Sequence, residues 1–94
     1  MYTERQVEET VAQGVSIMVC YYGDVRNPRN KDMMIAEIQM IADWAMETGM
    51  SHVEVEERIL RPLGGELIDR YGYEVGPRLH AEFLEAFDNA YCER

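Results

Sequence analysis

Apolar side chains recur at mixed steps of three and four along most of this sequence, the spacing of one side of an α-helix. Val7, Val11, Val15, Met18 and Tyr22 step by four, four, three and four. Leu79, Phe83, Phe87 and Tyr91 repeat every four, with Leu84, Ala86 and Ala90 beside them. Met34, Ile38, Ile41, Ala42 and Ala45 share one broad face when successive residues are set 100° apart. A chain patterned this way is expected to be all-α. The spacing predicts helices at roughly 4–22, 31–48, 52–61, 63–71 and 77–91, a compact bundle of four to five helices in a single domain. Ninety-four residues with 47% hydrophobic content suffice for one core, and a homodimer is expected because dimerisation would reinforce a core this small.

The punctuation agrees with this division. Thr3-Glu4-Arg5-Gln6 and Ser51-His52-Val53-Glu54 both have the form of a capping box, in which a hydroxyl and a carboxylate or amide three positions apart satisfy free backbone donors. Residues 23–31 form the clearest loop, with Asn30 placed to cap the next helix and Gly49 to end it. Pro62 and Gly64-Gly65 predict an interruption, with Val53, Ile59, Leu60 and Leu63 as the apolar side there. Gly72 marks a stop, and Gly76-Pro77 opens the last helix with proline in its first turn. Residues 15–22 are apolar nearly all round and rich in strand-favouring types, so a strand is the alternative there.

Charge is distributed very unevenly. Between Asp32 and Glu57 lie seven acidic residues and no lysine or arginine, which accounts for most of the formal net charge of -9. A block of one sign attracts basic partners and repels nucleic acid. With a sequence pI near 4.5 and no helix presenting a basic row, direct nucleic-acid binding is not expected. No glycine-rich phosphate loop, zinc spacing or paired catalytic groups are present, so neither an enzyme nor a cofactor is implied. Cys20 and Cys92 are far apart and read as reduced thiols. The longest apolar run falls short of a membrane span and no signal-peptide pattern is present, so a cytoplasmic protein is expected.

Laid on a helix, the acidic stretch resolves into three faces. Opposite the core face lies a polar row that includes Asp32, Asp43 and Glu47; on the flank between, Met33, Met40 and Trp44 form a second apolar ridge with Glu37 beside it. One apolar face is enough to dock a helix, so the second ridge requires another partner. Asp32, Met33, Glu37, Met40, Asp43, Trp44 and Glu47 are therefore the candidate partner-binding residues. Methionine and tryptophan would anchor, and carboxylates would orient a partner rich in arginine and lysine, such as a nucleic-acid-binding protein. In size and charge the chain has the character of small acidic inhibitors that phages and mobile elements direct against host nucleic-acid enzymes, of anti-CRISPR or anti-restriction type. Two alternatives stand beside it: a nucleotide or small-ligand binder using Arg26, Arg29 and Lys31, and a structural subunit whose methionine–tryptophan ridge is an assembly contact. His52 with Glu56 has helical metal-ligand spacing but makes only half a site, read as the first turn of a helix. His80, on the margin of the last apolar stripe, is expected to be partly buried on a hydrogen-bond partner.

Overall fold

A computed structural model describes residues 1–92, and every element in it is helical. Helix α1 spans Glu4–Gly23 and α2 spans Pro28–Glu47; a composite third run follows, made of α3 (His52–Val55), a π-helical turn (Glu56–Leu60) and α4 (Arg61–Cys92). The all-α expectation holds, but there are three long helical runs where four or five were expected. Residues 15–22 are the second half of α1 and not a strand. Both capping boxes form, Thr3 with Gln6 and Ser51 with Glu54.

Helix α2 begins three residues before the expected start. Asn27, not Asn30, is the cap: its side chain accepts from the Arg29 N–H at 3.1 Å, and Pro28 takes the first helical position, where a missing donor costs nothing. Asn30 serves the tertiary structure instead, donating its amide at 3.1 Å to the carbonyls of Cys20 and Asp24 and tying α2 to the end of α1. At the other end Gly49 adopts a φ of 80°, and the amides of Gly49 and Met50 bond back to the carbonyls of Met46 and Ala45. These two bonds form a Schellman stop, which only a left-handed residue allows cheaply.

Pro62 does not end its helix. A π-helical turn lies one turn earlier, in which the Arg61 N–H reaches the carbonyl of Glu56. That turn changes the phase of the helix, so Val55 is buried while Val53, expected in the core, is 65% exposed. The chain then reverses within α4. Gly72 leaves helical geometry (φ 86°, ψ -179°), and helix resumes directly after it, so Pro77 lies inside the helix and not in its first turn. The reversal is sharp: the Nε2–H of His80 donates to the Leu60 carbonyl at 2.9 Å, whereas twenty residues of straight helix would span about 30 Å.

The core lies where α1, α2 and both arms of α4 converge. Met18, Ile38, Leu63, Leu67 and Phe83 are fully inaccessible, and Phe87 stacks on Phe83 at 6.1 Å. The five residues assigned to the core face of α2 are the five it buries. Among the described residues no helix is long and apolar enough to cross a membrane.

Candidate protein-interaction face

Helix α2 places its second ridge at the surface. Met33 and Met40 are 57% and 64% exposed, an unusual position for side chains that gain from burial. Asp32 and Glu47 are exposed at the two ends of the helix, and Glu37 and Asp43 are half-buried between them. Met33, Glu37, Met40 and Trp44 step by four, three and four, so they form one continuous stripe. Of the other described methionines, Met18, Met34 and Met50 fill the core.

Trp44 differs from the methionines because the chain covers part of it. The segment preceding α1 folds over α2 and sets the Tyr2 ring edge-on to Trp44, with centroids 6.4 Å apart. Tyr2 is held from two further directions: its hydroxyl donates to Glu54 of α3, and the Arg58 guanidinium lies 5.8 Å from its ring centroid. Arg58 in turn pairs with Glu4. The hydrogen bond from Tyr2, seconded by the Ser51 amide, holds the Glu54 carboxyl below its ordinary range, and the same bond raises the Tyr2 phenol above its own. Tyr2 thus supplies part of the partner that the second ridge of α2 requires.

What remains open at Trp44 is a groove of about 340 Å³ between α1 and α2. Met40, Ile41 and Trp44 form one wall, and Gln6, Glu9, Thr10 and Gln13 form the other. The polar wall was not among the sequence candidates. Gln6, Glu9 and Gln13 do share a face of α1, but nothing local says that α2 lies beside it. Tyr2 carried a clearer signal, an apolar residue just before a capping box, the position of a hydrophobic staple.

The basic candidates are not gathered in the same way. Because α2 starts at Pro28, Arg29 and Lys31 sit two positions apart on a helix and point about 200° apart around its axis. Lys31 borders a separate groove of about 260 Å³ beside Glu82 and Glu85, and Arg26 is exposed in the turn before α2. His52 lies edge-on to Tyr91 at 4.9 Å, and His80 is half-buried on its carbonyl partner as expected. Cys20 is exposed and unpaired; the Cys92 side chain lies outside the described residues. No protein-family model matches this sequence, and neither a curated protein nor a solved structure matches it.

Proposed function

We propose that this chain is a non-enzymatic interaction protein that binds a basic, nucleic-acid-binding protein along α2 and inhibits it by occupying its nucleic-acid site. One observation carries the reading: two widely exposed methionines on the open stripe of α2, within a stretch of sequence, Asp32 to Glu57, that contains seven acidic residues and no lysine or arginine. Adaptable apolar anchors within a rim of one charge suit an arginine- and lysine-bearing surface, and the anchors give affinity while the rim gives orientation and encounter rate. Across the groove from Trp44, Glu9 adds a carboxylate on α1, paired there with Arg5.

The test begins with proteins retained from a cell lysate at low salt and released at high salt, each then assayed for nucleic-acid binding with and without this chain. A retained protein is expected to lose its nucleic acid to the wild type. The Asp32→Lys/Glu47→Lys double variant should fail to displace it, and Met40→Ala should weaken binding by about 1–2 kcal/mol. A captured protein that keeps its nucleic acid, or capture indifferent to these variants, overturns the proposal.

A further inference from the structure

A groove of about 700 Å³ lies on the other flank of α1, away from Met40 and Trp44. Val7, Val11, Val15 and Val19 form its floor. One wall is the row Glu4, Glu8, Ala12, Ser16 on α1; the facing wall is the row Arg58, Pro62, Glu66, Arg70, beginning in the π-helical turn. Both walls step every four residues. Two such ridges bounding an apolar floor make the seat into which a third helix packs ridge into groove. From Glu4 to Val19 the seat is about 22 Å long at the rise of an α-helix.

The charges on the walls identify the occupant. At one end Glu4 pairs with Arg58, leaving Glu8. At the other end stands Arg70, exposed and, like Glu8, without an ion pair among the described residues. Between them the α1 wall carries only small side chains, Ala12 and Ser16, both exposed. We propose that the groove is filled by α1 of a second copy of this chain, running antiparallel about a two-fold axis near Ala12. Ala12 and Ser16 allow the two helices to approach closely, and Glu8 of each protomer meets the partner's Arg70. A parallel arrangement would set Glu8 against Glu8, and like charges in contact are unfavourable. An isologous interface of this kind is the commonest closed assembly. Because Gln6, Glu9 and Gln13 lie on the opposite flank of α1, the Met33–Met40 stripe stays open on both protomers, and the dimer would present it twice.

Sedimentation equilibrium on the full chain, from micromolar to submillimolar, tests this. The expected mass is twice 10.9 kDa. Ala12→Arg, at an exposed helical position, should give a monomer with unchanged far-ultraviolet circular dichroism. Glu8→Arg and Arg70→Glu should each weaken association about tenfold, and combining them should restore it, since the swapped pair is again opposite in sign. A monomer at every concentration, whatever else fills the groove, overturns the proposal. So does a dimer indifferent to Ala12→Arg, or a charge-swapped double variant no tighter than its parents.

Discussion

Tyr2 is where three elements meet in one side chain, and its chemistry can be read through pH. Its hydroxyl donates to Glu54, which holds that carboxyl below its ordinary value of 4.5. A group whose pKa is lower in the folded chain contributes stability above its unfolded value, and loses it as pH falls through the folded one. The Tyr2 phenol is raised from 10.0, so its own contribution is present below that value and is lost as pH rises through the folded one. Tyr2→Phe keeps the ring on Trp44 and removes the donor. Thermal melts of both proteins should therefore differ most between about pH 5 and 9, and converge as pH falls below the ordinary carboxylate range. A melting difference that stays constant into strong acid would show that the hydroxyl acts through something other than Glu54. Trp44 is the single tryptophan, so its emission reports the ring contact separately: Tyr2→Ala should shift it to the red, and Tyr2→Phe should not.

At the scale of elements, the reversal within α4 rests on two glycines that other side chains cannot replace. A Cβ on Gly76 would lie 2.7 Å from the Ile68 Cα, and one on Gly64 would lie 2.8 Å from the His80 ring. Backbone cannot yield as a side chain can, so Gly76→Ala should force the two arms apart and cost about 1–3 kcal/mol in chemical denaturation. Gly65 is the internal control: helical, exposed, and with nothing within 4 Å of its would-be Cβ. Gly65→Ala should stabilise by about 0.5–1 kcal/mol, because alanine gives up less backbone freedom on folding. Equal effects at the two positions would remove the steric argument. The sequence distinguished neither glycine, since Gly64-Gly65 read only as an interruption and the tight contacts exist only after the chain has reversed. What depends on neighbours within a turn was legible: the core face of α2, both capping boxes and the stop at Gly49. The start of α2 was misplaced because Asn27 and Asn30 can both cap, and only the tertiary demand on Asn30, with Pro28 at the first helical position, separates them. On the candidate face, Met33 and Met40 were legible because burial pattern alone exposes them, whereas the cover on Trp44 came from a residue forty-two positions away.

For the whole molecule the question is how a chain of net charge -9 remains compact, with a radius of gyration of 12.6 Å against the roughly 13 Å usual for a hundred folded residues. Two ion pairs are seen among the described residues, Arg5–Glu9 and Arg58–Glu4, and all four side chains are at least 42% exposed. Pairs of that kind contribute about 0–1 kcal/mol, and salt removes little by screening them. The repulsion among eighteen acids opposed by nine bases is the larger electrostatic effect, and the core of Met18, Ile38, Leu63, Leu67 and Phe83 outweighs it. Adding sodium chloride up to about 0.15 M, where exposed charges more than about 8 Å apart are largely screened, should therefore raise the melting temperature. Association of two such chains should strengthen over the same range, because each brings the same net charge to an apolar groove. Capture of a basic partner on α2 should weaken, because there the charges are opposite. Melting the Ala12→Arg variant beside the wild type separates folding from self-association: both should gain with salt, the wild type more. A melting temperature that falls with salt in Ala12→Arg would mean that the ion pairs outweigh the repulsion, and the acidic surface would then be a stabilising network and not a field held ready for a partner.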